Sequence, residues 1–283
     1  MSQGFPFGLV RRQPQSVDPE EELSQREPQT ADGNKRLADA HLSKGRVHNA
    51  ITRYKKAARM DSDPSYRTDL GDAYAYAELS LKAVSQYRQA IKANPRRPEP
   101  HFSLGEVFTR YGKWSVAIIE YSTAVELAPA NAFYRYKLAY AYRQTGQVVE
   151  AVEQLEQAVS VRPAEAFYHF ELASLYADTG RTEEAISEME RAATCSPDDD
   201  YYSARLGMLY SRAGRLDAAA ESYREAIRLN PNKPSYKRLL AETYYCRGYE
   251  ARAEAQCEEA GDLDPYETDF IERAHRFTLG GSW

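Results

Sequence analysis

Residues 132–165 read AFYRYKLAYAYRQTGQVVEAVEQLEQAVSVRPAE, and residues 166–199 read AFYHFELASLYADTGRTEEAISEMERAATCSPDD. Laid in register, the two runs pair Leu138 with Leu172, Ala139 with Ala173, Tyr142 with Tyr176, Gly146 with Gly180, Ala151 with Ala185, Ala158 with Ala192 and Pro163 with Pro197. Moving outward in both directions, the same leucine recurs at Leu37, Leu70, Leu104, Leu138, Leu172, Leu206 and Leu240, with one interval of 33 residues and five of 34. A fixed period of this length marks a stack of like supersecondary units, not a globular domain built around one central site.

With the leucine placed at position seven of each unit, position eight is always Ala or Gly, small enough for two helices to approach closely. Position eleven is aromatic in six units, from Tyr74 to Tyr244, with His41 in the first. Positions twenty and twenty-seven are alanine throughout, from Ala50 to Ala253 and from Ala57 to Ala260. Proline at position thirty-two (Pro95, Pro129, Pro163, Pro197, Pro231, Pro265) stops a second helix. Glycine between the helices (Gly45, Gly112, Gly146, Gly180, Gly214, Gly248) permits the left-handed backbone that ends the first.

This pattern resembles the tetratricopeptide repeat family over residues 31–267. The resemblance implies an all-α, right-handed superhelical solenoid of helix-turn-helix units, at 31–63, 64–97, 98–131, 132–165, 166–199, 200–233 and 234–267. The family's aromatic at position four is absent, replaced by Arg67, His101, Arg135, His169, Ser203 and Lys237. Tyrosine stands one residue earlier (Tyr66, Tyr134, Tyr168, Tyr202, Tyr236), where it joins the apolar stripe, so the expectation is altered packing on the same fold.

Composition agrees. Hydrophobic residues reach 42% while mean hydropathy is −0.69, as expected for a thin apolar layer shared among short, half-exposed helices. Repeats fill nearly all of the 283 residues and leave no room for a catalytic domain. A net charge of −5 provides no general footprint for nucleic acid. Three cysteines without a close motif argue against a disulfide framework, and no apolar run approaches membrane-spanning length. The N-terminus lacks a signal-type apolar segment, so a cytoplasmic location without membrane insertion is expected.

Residues 1–30 carry four prolines, five glutamines and Glu20, Glu21 and Glu22, the composition of a disordered polar tail. Within it Phe5, Phe7 and Leu9 precede Arg11 and Arg12, a candidate docking motif for self-association. At the other end the second helix of unit seven loses its apolar stripe, since Glu250, Glu254, Cys257 and Gly261 replace larger apolar residues, as suits a terminal repeat. Residues 268–283 are expected to form a capping helix on unit seven, with Phe270, Ile271, Ala274 and Phe277 at helical spacing, and a short tail.

The resemblance further implies that positions two, five, nine and twelve of the first helices line a concave groove. Here these are rich in aromatic residues through units three to six: Phe102, Tyr136 and Phe170 at position five, Phe133, Phe167 and Tyr201 at position two, and Tyr140, with the apolar Met208, at position nine. Packed helices lie about 8–10 Å apart and an extended peptide advances about 3.3 Å per residue, so such a groove would engage roughly every third or fourth residue of a bound strand. Arg110, Arg143 and Arg212, with Lys137 and Arg205 at position six, suit an acidic side chain or a chain terminus. Glu99, Glu106, Glu171 and Asp178 share that surface, and rings at positions two and five also serve ordinary helix packing.

Two relatives within the family are excluded by their own residues. The two-carboxylate clamp for chaperone C-termini requires Lys, Asn, Asn, Lys and Arg where this chain has Lys35, Asp39, Asp69, Glu99 and Ser103. The asparagine ladder of the sugar-transferring relative is likewise missing at position six. His101 and His169 lie two units apart and His41 and His48 have no cysteine partner, so no metal site is expected. Nothing near Cys195, Cys246 or Cys257 would activate a thiol. The sequence therefore predicts a non-catalytic adaptor or assembly scaffold without cofactor, binding an extended or helical segment of another protein in the groove of repeats three to six. The alternative is a regulatory or targeting subunit that uses the convex face or the solenoid end.

Overall fold

The computed structural model describes residues 29–281, and among them stand fifteen helices and no strand. The residues 1–28, including the candidate motif from Phe5 to Arg12, lie outside the described residues, as do residues 282 and 283. The chain divides into two compact units, Met1–Gly112 and Lys113–Trp283. The first holds the pairs α1 (Ala31–Ser43) and α2 (Val47–Met60), α3 (Pro64–Tyr76) and α4 (Ser80–Ala93), then α5 (Pro98–Arg110). The second opens with α6 (Trp114–Leu127). It continues with the pairs α7 (Ala132–Gln144) and α8 (Val148–Val161), α9 (Ala166–Asp178) and α10 (Thr182–Cys195), α11 (Asp200–Arg212) and α12 (Leu216–Leu229), α13 (Pro234–Cys246) and α14 (Glu250–Ala260), and ends with α15 (Pro265–Thr278).

Local chemistry sets the helix ends. Asp63, Asn131 and Asp199 cap first helices by accepting backbone N–H groups two residues on, while Pro64, Pro98 and Pro234 occupy the first turn, where a missing N–H costs nothing. The first helices stop where the chain turns left-handed: Gly146 has φ 75°, and the following Gln147 N–H returns to the Tyr142 carbonyl at 2.9 Å. In the second repeat no glycine serves, and the turn residue Glu78 itself takes φ 59°.

Within each unit, a second helix packs against its own first helix and, in every repeat before the seventh, against the first helix of the repeat that follows. The invariant alanines at positions twenty and twenty-seven are buried at that seam. The closest approach pairs position eight with position twenty-four: a Cβ on Gly71 would lie 2.4 Å from Tyr87 Cε1, and one on Gly207 would lie 2.6 Å from Tyr223 Cε1. Where position eight is Ala139 or Ala173, the residue opposite is the thinner Leu155 or Met189.

The departure at position four has a structural account. Instead of an aromatic, the first helix sends a polar side chain to the second: Arg67 Nη1 to Gln89 at 2.7 Å, Arg135 to Gln154 at 3.1 Å, His169 to Glu188 at 2.7 Å, and Lys237 to Glu259 at 3.8 Å. The other His169 nitrogen faces the Pro163 carbonyl at 3.0 Å, so this buried imidazole is consumed by packing. The tyrosines at position three reach the preceding repeat, Tyr66 donating to Asp32 and Tyr236 to Asp200, each at 2.7 Å.

The C-terminal helix starts earlier than expected and packs on two repeats. It begins at Pro265, because the Asp264 carboxylate accepts the Glu267 N–H at 2.8 Å. Its apolar stripe, Phe270, Ile271, Ala274 and Phe277, is buried, but against α11 and α13 and not on α14. Phe277 sits under two guanidinium groups of α11, Arg205 at 4.7 Å and Arg212 at 5.3 Å from the ring centre. Phe270 meets Tyr236 of α13, ring centres 6.0 Å apart. Two apolar rings and two long cations are thereby joined across successive first helices, an arrangement that period and spacing in the sequence do not encode.

Candidate partner-binding face

The first helices of the second unit place most of the candidate residues on one run of contacts. Position five of one repeat faces position two of the next, so Tyr136 of α7 meets Phe167 of α9 edge to face at 4.8 Å, and Phe170 of α9 meets Tyr201 of α11 at 5.6 Å. Phe133 leans on Tyr136 at 6.2 Å, and Lys137 Nζ lies 5.5 Å from the Phe133 ring centre. Aromatic pairs of this kind add about 0.5–1.5 kcal/mol beyond area burial, so the rings fasten neighbouring repeats as well as forming a surface.

They remain partly open to solvent. Phe133 is 44% and Tyr140 40% exposed, while Tyr136, Phe167, Phe170 and Tyr201 are half-buried. Tyr140 rests on Trp114 of α6 at 5.9 Å. Trp114 opens a second helix, outside the groove positions, so its register carries no signal for this face. Arg143 is engaged by Asp178 in an ion pair. Between them and Arg205 lies Glu171, whose carboxyl is pushed up by burial against the opposing pull of Arg143 and Arg205. A narrow cleft lined by Tyr136, Tyr140, Arg143, Glu171 and Leu175 opens beside the rings.

Other candidates are placed differently. Met208 is fully buried in the core, and Arg205 is 1% exposed, its guanidinium held between Phe170 at 5.7 Å and Phe277. Burial pulls Arg205 down to about 10, against the favourable charges of Tyr201, Asp178 and Glu171. Arg212 is half-buried beneath the same Phe277. Arg205 and Arg212 thereby form part of the seat of α15 on α11. Phe102 and Arg110 belong to α5 in the first unit, where Phe102 is half-buried and Arg110 donates to the Ala75 carbonyl at 3.1 Å.

The first unit has a polar face instead. Lys35 and Asp69 pair at 2.6 Å, and burial still pushes the Asp69 carboxyl up. Tyr87 donates to Asp72 at 2.7 Å and Tyr54 to Asp39. Among the described residues, no group of three His, Cys, Asp or Glu side chains could hold a metal ion. No helix there is long and apolar enough to cross a membrane.

Solved structures share the fold. MamA from Desulfovibrio magneticus RS-1 superposes with a TM-score of 0.54 at 22% identity, over 62% of this chain and 99% of that one. YrrB, described as a TPR protein with an unusual peptide-binding site, gives 0.53 at 18% identity, over 68% and 95%. PilF of Pseudomonas aeruginosa gives 0.59 at 18%, over 80% and 100%. At these identities the likeness is one of fold, and no curated protein sequence matches the chain. A sequence family does match, along residues 15–275. The chain is a tetratricopeptide repeat protein and belongs to the family of the cilia and flagella-associated protein 70 C-terminal domain.

Proposed function

We propose that the chain is a non-catalytic interaction module, an adaptor or assembly scaffold. Its second unit grips a segment of another protein along the first helices of repeats four to six. The observation that carries this reading is the half-open run of rings from Phe133 through Tyr136, Phe167 and Phe170 to Tyr201. Rigid aromatic side chains with one face free offer large contact area at small entropic cost, and such anchors dominate interface energies. Lys137 at the edge of the run favours a segment with an acidic group. The family name suggests a partner within the cilium or flagellum, reached from the cytoplasm, and the peptide-binding site named for YrrB is a precedent on this fold.

The test uses the tagged full chain in affinity capture from ciliated cells with quantitative mass spectrometry. Phe133→Ser combined with Tyr140→Ser alters the two most exposed rings of this face and keeps the Tyr136–Phe167 and Phe170–Tyr201 pairs that join successive first helices. Leu81→Ser, at a residue 90% exposed on α4, serves as the control. Partners retained by the control and lost by the double variant support the reading. An unchanged set in the double variant contradicts it.

A further inference from the structure

The seventh repeat is where the packing scheme of the others stops short. In the first six repeats position twenty-four is large and buried: Tyr54, Tyr87, Tyr121, Leu155, Met189 and Tyr223. In α14 it is Cys257, only partly buried. Every earlier second helix is also covered by the first helix that follows it. In the first unit, Leu104 and Val107 of α5 share one core with Tyr87 of α4. By chain order α15 would cover α14, but it packs on α11 and α13.

Two omissions, a large side chain and a covering helix, leave an open cleft of about 730 Å³ between α13 and α14. Its floor is Ala241, Ala253 and Cys257, and Tyr245, 70% exposed, stands over it. The size falls within the roughly 300–1,000 Å³ of sites that enclose ligand groups. Its rim is acidic. Glu250 and Glu254 stand one turn apart on α14, both exposed and outside any ion pair among the described residues. Like charges at that spacing oppose each other, and a cation brought to them relieves the opposition. Glu242 adds a third carboxylate, shared with His275 at 2.7 Å. Arg238, the cation of the lining, is turned inward to Cys257 Sγ at 3.3 Å.

We propose that this cleft docks an amphipathic helix of a partner protein that presents a Leu-x-x-Leu pair to the floor and Lys or Arg to the rim. A helix is specified because the homologous seam takes one in each earlier repeat, through apolar residues three apart such as Leu104 and Val107 or Leu172 and Leu175. Basic flanks are specified by Glu250 and Glu254. The cleft shares no residue with the ring-lined face, so the two readings fail independently.

The test measures fluorescence anisotropy of two synthetic amphipathic helices on the full chain. Both carry the same Leu-x-x-Leu face, one with Lys and Arg flanks and one with Glu flanks. Cys257→Asn makes the apolar floor polar with little change in side-chain size. Glu250→Lys with Glu254→Lys reverses the rim and leaves the floor alone. The basic peptide should bind the natural chain at least about tenfold more tightly than the acidic one. Cys257→Asn should weaken it by a similar factor, rim reversal should invert the preference, and Phe133→Ser with Tyr140→Ser should change neither. Equal binding of the two peptides overturns the proposal, as does undiminished binding by Cys257→Asn. A dimer in light scattering without peptide, abolished by Cys257→Asn, would assign the cleft to a second copy and overturn it too.

Discussion

Gly71→Ala isolates the geometric rule that shapes the helix pairs. In an exposed helix interior, this substitution stabilises by about 0.8–1 kcal/mol through helix propensity. Here the added methyl carbon would stand 2.4 Å from Cε1 and 2.7 Å from Cδ1 of Tyr87. The ring is 1% exposed and its hydroxyl donates to Asp72 at 2.7 Å, so moving it strains packing and endangers that bond. Overpacking costs about 1–3 kcal/mol and a lost hydrogen bond about 1 kcal/mol. The propensity gain offsets part of this. Repeat one holds Ala38 opposite Tyr54, so a ring can yield to a methyl group, which puts the expected net loss near the low end, about 1 kcal/mol. Urea unfolding with amide exchange resolved at α3 and α4 measures it. Tyr87→Leu in the same chain should remove the penalty, by analogy with Ala139 and Leu155. A Gly71→Ala chain that is more stable by the full propensity gain, or a penalty that persists when Gly71→Ala is combined with Tyr87→Leu, would refute the reasoning.

Glu78→Gly should raise stability by about 0.5–1 kcal/mol in calorimetry, because Glu78 holds φ 59° at an exposed turn where the other repeats place glycine. Phe277→Ala should cost about 3–5 kcal/mol and release α15 first, visible as loss of exchange protection in residues 265–278 with α7 to α10 unchanged. The carboxyl of Glu171 is raised by burial, so the folded chain holds that proton more firmly than the unfolded chain does. The cost of ionising it is fully present above its folded pKa and vanishes as pH falls below the ordinary value of 4.5. Glu171→Gln should therefore raise the melting temperature at neutral pH and lose that advantage in acid. Amides of α14, where only Ala253 and Ala260 are buried, should exchange faster than those of α13.

The repeat architecture was legible because its determinants are local and recur: Leu138 and Leu172, Ala151 and Ala185, Gly146 and Gly180 each say the same thing at the same interval. Polar residues at position four looked like a departure, since nothing in a single helix tells Arg135 that Gln154 and Gln157 await it on the next. The ring contacts were half legible. Positions two and five named the residues, but the pairing of Tyr136 with Phe167 depends on how successive first helices are set against each other. The register of Arg205, Arg212 and Met208 places them in the groove. Phe277, more than sixty residues farther along, decides their surroundings, and a long-range contact of that kind leaves no periodic signal. Cys257 was visible as a weak position in a terminal repeat. That it opens a cleft follows only once α15 is seen to lie elsewhere.

The central claim is that a partner segment lies along the rings of the second unit, and photo-crosslinking tests it most directly. A photoreactive phenylalanine analogue placed singly at Phe133, at Tyr140 and at Val149, which is 69% exposed on α8, reports contact at each site by mass spectrometry of the linked peptides. Residues 133 and 140 are expected to link to one common segment of a partner, and residue 149 is expected not to. Links from residue 149 to that segment, with none from 133 or 140, would contradict it.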